Sequence, residues 1–191
     1  MSTNILAKIV ASKFGEVAER KKQISIGEFE AMPLFERAGY SLHSNLVDPS
    51  KTGIIAEFKR QSPSKGIINN TALVHEVTKA YCDFGASGIS VLTDTHFFGG
   101  SLDDLTIAVK NTTPVLRKEF IIDEFQIIEA KAYGASVILL IASCLKPATT
   151  QLLAAKAKAL DMEVLLELHD ETELEHICDE VDLVGINNRS L

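Results

Sequence analysis

Cysteine is scarce in this chain of 191 residues: Cys82, Cys144 and Cys178 are an odd number, far apart, with no C-x-x-C spacing. That excludes a disulfide scaffold, and neither a disulfide nor a zinc site is expected. Each cysteine follows or sits within an apolar helix or strand pattern, so buried free thiols are expected. With 11 glycines and 5 prolines, collagen-like and low-complexity classes are also excluded. Long apolar runs are missing; stretches such as Val137–Ala142 are far too short to span a bilayer. The opening MSTNILAKIV lacks the charged lead, long apolar stretch and cleavage site of a signal peptide, so a cytoplasmic location is expected. Nor is there a basic excess: 19 Lys and Arg against 26 Asp and Glu leave a formal charge of −7. That balance argues against a nucleic-acid or anionic-membrane binder.

What remains is ordinary globular composition, 46% hydrophobic and 24% charged, in a chain long enough for one large domain. Residues 1–50 read as a helical extension. Ile5, Leu6, Ile9, Val10, Phe14 and Val17 recur at helical spacing with Lys8, Lys13, Glu16, Glu19 and Arg20 between them, and Arg20-Lys21-Lys22 suits a helix C-terminus. Short helical pieces are expected around Ile26–Met32, Leu34–Ala38 and Leu42–Leu46.

Residues 51–191 repeat a different pattern, apolar strands alternating with amphipathic helices. Strands are expected near Gly53–Lys59, Gly88–Leu92, Val115–Lys118, Ser136–Ile141, Glu163–Leu168 and Leu183–Ile186. Helices are expected at Ala72–Phe84, Leu102–Lys110, Glu124–Tyr133, Ala148–Leu160 and Glu171–Ile177. Gly85 and Gly134 read as the C-cap turns of two of them. Alternation with nearly all-apolar strands means an α/β fold with a parallel sheet covered by helices. No glycine-rich phosphate loop follows the first strand, as a dinucleotide-binding sheet would require. Polar residues instead end nearly every strand: Lys59 and Arg60, Thr93 and Asp94, Lys118 and Glu119, Ser143, Glu167 and His169, Asn187 and Arg189. Such a ring is how a (βα)8 TIM barrel builds its active face.

Only about six βα units are present, whereas a barrel of eight usually needs about 250 residues. The chain is therefore expected to be a fragment of a longer enzyme, monomeric when complete and prone to self-association through its open strand edges.

Alternate residues of a strand share a face. Inward faces would place Glu57, Lys59, Lys118, Glu167, Asn187 and Arg189 in one mouth. Two lysines and two carboxylates in a partly dry cavity suit general acid–base chemistry. Plain structural readings compete at several positions. Lys118 could be a surface lysine, and Glu57 with Lys59 a structural ion pair. Strand parity favours Asn187 over Asn188. His169 reads as part of a cap for the next helix, and His43, His75, His96 and His176 have no metal-ligand spacing.

The run Ile55-Ala56-Glu57-Phe58-Lys59-Arg60-Gln61-Ser62-Pro63-Ser64-Lys65-Gly66 resembles the first-strand signature of the indole-3-glycerol-phosphate synthase family. The resemblance continues in order through Ile89–Thr93, Phe97–Leu102, Pro114–Ile121, Val137–Ile141, Glu163–Glu167 and Gly185–Arg189, essentially the whole chain. It implies a tryptophan-pathway carboxy-lyase that closes 1-(2-carboxyphenylamino)-1-deoxyribulose 5-phosphate to indole-3-glycerol phosphate, with no metal or organic cofactor. By that resemblance Lys118 is a general acid and Glu167 the general base of the dehydration. Lys59 either pairs with a substrate anion or shares proton transfer with Lys118. Glu57 and Asn187 hold the lysines and hydroxyls, Ser62 and Arg189 contact the anionic or hydroxylated end, and Phe98, Phe120 and Leu139 line the slot for the ring. The seventh and eighth strands of the family have no counterpart here, which leaves a partial phosphate site and poor turnover expected of this chain alone. The alternatives are an inactive barrel fragment or another sugar-phosphate barrel enzyme, such as a phosphoribosylanthranilate isomerase relative.

Overall fold

A computed structural model describes residues 5–188. The chain opens with helices α1 (Ile5–Gln23), α2 (Ile26–Glu30) and α3 (Leu42–Val47), then strand β1 (Ile55–Phe58) and a small hairpin, β2 (Gln61–Ser62) and β3 (Gly66–Ile67). Helix α4 (Val74–Asp83), strand β4 (Gly88–Leu92), helices α5 (Thr95–Phe98) and α6 (Leu102–Ala108) and strand β5 (Val115–Lys118) follow. Then come α7 (Glu124–Ala132), β6 (Val137–Ile141), α8 (Pro147–Lys158), β7 (Glu163–Leu168) and β8 (Leu183–Ile186), with 3-10 turns at Ala142–Cys144 and Glu171–His176.

Six strands pair in parallel in the order β1-β4-β5-β6-β7-β8, a curled half-barrel of the TIM-barrel kind. Strand parity sorts their side chains into two clusters. Ile89, Val91, Val115, Ile138, Leu140, Val164, Leu166 and Leu168 face outward against Leu105, Ala108, Ile127, Ala130, Leu153 and Ala157 of the helices. Leu116, Val137, Leu139 and Ile141 face the concave side, with Ile9, Leu42 and Phe120. Both sides of the sheet are therefore apolar, which is why the strands read as continuous hydrophobic runs. In β7 the outward residues are buried while Glu163, Leu165 and Glu167 are only half-buried, because the concave side opens there.

The N-terminal helices run as a strap from one end of the sheet to the other. Ile9 of α1 packs on the concave cluster, while Val17 joins Phe29, Phe125 and Ile128 over α7. The following segment turns down, where Arg37 donates to the carbonyls of Gly134 and Val109. At the N-terminal ends of the strands α3 plugs the barrel floor: Glu163 accepts from the backbone N–H of Leu42 and His43 at 2.7 and 3.1 Å. Gly88 makes room for this plug, since a Cβ there would lie 2.5 Å from a Leu42 methyl.

Several expectations need correction. Leu34–Glu36 is a turn and Arg37 and Ala38 are irregular, so no helix forms there, and Glu171–His176 is 3-10 rather than α-helical. The first strand starts at Ile55, two residues after the expected Gly53, with Gly53 itself at positive φ. The three thiols are free but half-buried rather than fully buried. On α1 the stripe is rotated: Phe14 is 61% exposed, whereas Lys13 is 1% exposed. Gly85 and Gly134 end their helices at φ of 78° and 83°, as expected.

Candidate active site

The C-terminal ends of the strands surround an open cavity of 960 Å³. Nine residues predicted for the site line it: Glu57, Lys59, Ser62, Phe98, Lys118, Phe120, Leu139, Glu167 and Asn187. The tenth, Arg189, lies outside the described residues. Parity explains the gathering, because Glu57 pairs in register with Ser90 and Glu167 with Gly185, all on the concave side.

Charged groups sit at two stations. At the first, Lys118 Nζ donates to Glu167 Oε2 at 3.1 Å, and Asn187 Nδ2 donates to Glu167 Oε1 at 2.9 Å. Both oxygens of Glu167 are therefore engaged, and its side chain is 14% exposed against 28% for Lys118. At the second, Lys59 Nζ donates to Glu57 Oε1 at 2.6 Å, each side chain about one-third exposed. Ser62 and Lys65 flank that station on the β2–β3 hairpin. The hairpin's base is anchored by Arg60, which pairs bidentately with Asp104 and stacks 4.9 Å from the Phe58 ring centre.

An apolar wall completes the cavity lining. The rings of Phe98 and Phe120 stand 5.9 Å apart, tilted by 36°, beside Leu139, Leu92 and Ile141. Sequence reasoning missed Ile5 and Ile9, which bring α1 into this wall; their signal was the helix stripe itself, read only as core. It also missed Lys65 and Ile68 of the hairpin, hidden in a loop with no periodicity.

Glu119, expected beside Lys118 in the ring of polar residues, is 3% exposed. Burial alone would raise its carboxyl, but Lys13, Arg117, Thr93 and the Phe120 amide outweigh burial and hold it below the ordinary carboxylate range. Cys144, behind the same cavity, is pushed up to about 12 by burial, with Glu167 and Glu173 adding to the effect. His169 does not enter the site; its backbone N–H donates to Glu173 at 2.7 Å, and Asp170 caps the 3-10 turn that follows.

A family model described as indole-3-glycerol phosphate synthase matches residues 6–191. The chain belongs to the indole-3-glycerol phosphate synthase family. Its relatives of that name include one from Bacteroides thetaiotaomicron, 46% identical over 98% of this chain and 72% of the relative. Another, from Polaromonas naphthalenivorans, is 41% identical over 99% of this chain and 74% of the relative. Among solved structures, the carboxyl transferase domain of Rhizobium etli pyruvate carboxylase matches with a TM-score of 0.47 and 14% identity over 69% of this chain and 27% of that one. Membership makes the protein a lyase of tryptophan biosynthesis, an indole-3-glycerol phosphate synthase acting on a phosphorylated small molecule. No described helix is long and apolar enough to cross a membrane.

Proposed function

We propose that this cavity carries out ring closure, decarboxylation and dehydration of 1-(2-carboxyphenylamino)-1-deoxyribulose 5-phosphate. The observation that carries the reading is the Lys118–Glu167–Asn187 station facing an aromatic slot. A flat anthranilate ring fits an apolar wall with few polar groups. With the ring on Phe98, Phe120 and Leu139, the ribulose carbonyl reaches toward Lys118. The ring carbon bearing the carboxylate attacks that carbonyl carbon, and Lys118 gives its proton to the oxygen, where charge develops. Loss of CO2 returns the electron pair to the ring. Glu167 then takes a proton from the methylene carbon beside the nitrogen, and the new hydroxyl takes a proton from a lysine of the site, Lys59 or a reprotonated Lys118, and leaves as water, which forms the indole double bond. Asn187 keeps Glu167 aligned through its second oxygen, and Glu57 does the same for Lys59.

Lys59, Ser62 and Lys65 form the polar side opposite the Lys118 station. Lys59 either binds the substrate's carboxylate or phosphate or shares proton transfer with Lys118, and Arg189 is proposed to join at the anionic end. We further propose that residues 1–50 act as a helical extension seated on the barrel of residues 51–191, and that the protein works in the cytoplasm, as a monomer once its open strand edges are covered. The test is stoichiometry: product identified by mass spectrometry and CO2 captured in equal amounts support the carboxy-lyase reading. Isomerised substrate without CO2 would replace it with a phosphoribosylanthranilate-isomerase type of reaction.

A further inference from the structure

Lys13 stands on the charged side of α1 by sequence yet is buried to 1% exposure. Its ammonium lies 3.0 Å from Asp94, 3.1 Å from Glu119 and 2.7 Å from Glu16. Asp94 and Glu119 follow the neighbouring strands β4 and β5, and both are buried. Two buried carboxylates side by side repel unless a cation is placed between them. Burial opposes the charge on Lys13, but Glu119, Glu16 and Asp94 outweigh it and raise the ammonium above its ordinary range.

Each carboxylate has a second partner set, and both sets lead into the cavity wall. Asp94 Oδ1 accepts from the backbone N–H of Phe97 at 2.7 Å and of Phe98 at 3.2 Å, starting α5. Glu119 Oε1 accepts from the backbone N–H of Phe120 at 2.9 Å, and its Oε2 accepts from Thr93 at 2.7 Å. The two rings of the slot are thus each hung on a carboxylate that Lys13 neutralises.

We propose that Lys13 is a positioning residue for the aromatic slot: by pinning Asp94 and Glu119 together it sets the spacing of Phe98 and Phe120, so that the slot forms only with α1 docked. This rests on the reading of the cavity given above, and it assigns a task in substrate recognition to the N-terminal helix.

The test uses the whole chain and a substrate analogue whose ribulose carbonyl is reduced to an alcohol, which keeps the fluorescent anthranilate ring and the phosphate. Ring burial in the parent chain shifts the emission to the blue. Lys13→Met is expected to weaken binding about tenfold or more and to lose the shift, and Lys13→Arg to recover part of both. Leu153→Ala, which opens a cavity in the helix layer outside the aromatic slot, is expected to lower Tm while keeping the parental Kd and emission. Should Lys13→Met not fold, Asp94→Asn takes its place, since the amide oxygen still caps α5 while the ion pair is gone; a reduced shift is expected. A parental Kd and emission in Lys13→Met, or in Asp94→Asn where that variant stands in, overturns the inference alone. Absence of any shift in the parent chain overturns the cavity reading and the inference with it.

Discussion

Lys118 Nζ and Glu167 Oε2 lie 3.1 Å apart although their strands, β5 and β7, are separated by β6. Both side chains lean over the concave side beyond Leu139, so the pair bridges the curled sheet above its own core. A structural salt bridge of this exposure contributes little to stability. Its position at the strand ends, with Asn187 on the other carboxylate oxygen, suits chemistry better than cohesion.

The three thiols should differ in reactivity. Burial raises the Cys82 thiol, but hydrogen bonds with Thr113 and Thr112 outweigh it, so Cys82 titrates below its ordinary value. Cys144 is pushed up to about 12, chiefly by burial. Iodoacetamide labelling near pH 8, read by peptide mass spectrometry, should modify Cys82 first and leave Cys144 for last, since the thiolate is the reacting species. Faster labelling of Cys144 would contradict the packing described behind the cavity.

Acid should loosen the seat of α1. The Glu119 carboxyl titrates lower in the folded chain than the unfolded value of about 4.3, so its stabilising effect is present above that pH and lost as pH falls through the folded value. Thermal melts should therefore fall increasingly below about pH 4, and less steeply in Glu119→Gln. Equal slopes in both proteins would remove Glu119 from the account.

The described sheet has two unpaired edges, β1 and β8, and Val184 on β8 is 46% exposed. Parallel edges of this kind recruit other chains. Light scattering of the chain alone at micromolar concentration should report association, reduced by Val184→Lys. A monodisperse parent chain would count against edge pairing.

Parity within β6 should separate stability from binding. Ile138 faces the helices and Leu139 the cavity wall, both fully buried. Ile138→Ala should cost about 2–5 kcal/mol in denaturant melts with KM unchanged. Leu139→Ala should cost stability and raise KM as well. A raised KM in Ile138→Ala would break the two-sided reading of the sheet.

Much of this architecture was legible in the residues. The strands Gly88–Leu92, Val115–Lys118, Glu163–Leu168 and Leu183–Ile186 have the bounds expected of them, because apolar runs between glycine and polar punctuation leave little choice. The β2–β3 hairpin was not legible, since pairs of two residues carry no period. Lys13 misled for a different reason. Its type marks a solvated face, and only the distant Asp94 and Glu119 make its burial possible, a pairing across 81 residues or more that local pattern does not record. The same blindness hid Ile5 and Ile9: the stripe said they were buried, not that they face substrate.

The most direct test is a double-variant cycle on the Lys118–Glu167 station. Steady-state turnover of the carboxyphenylamino-deoxyribulose phosphate would be followed by indole fluorescence in Lys118→Met, Glu167→Gln and the double variant. Each single change should lower kcat about 10²–10⁴-fold, and the double variant should be little worse than the poorer single one, as for groups acting as a unit. Parental kcat in either single variant would contradict the account.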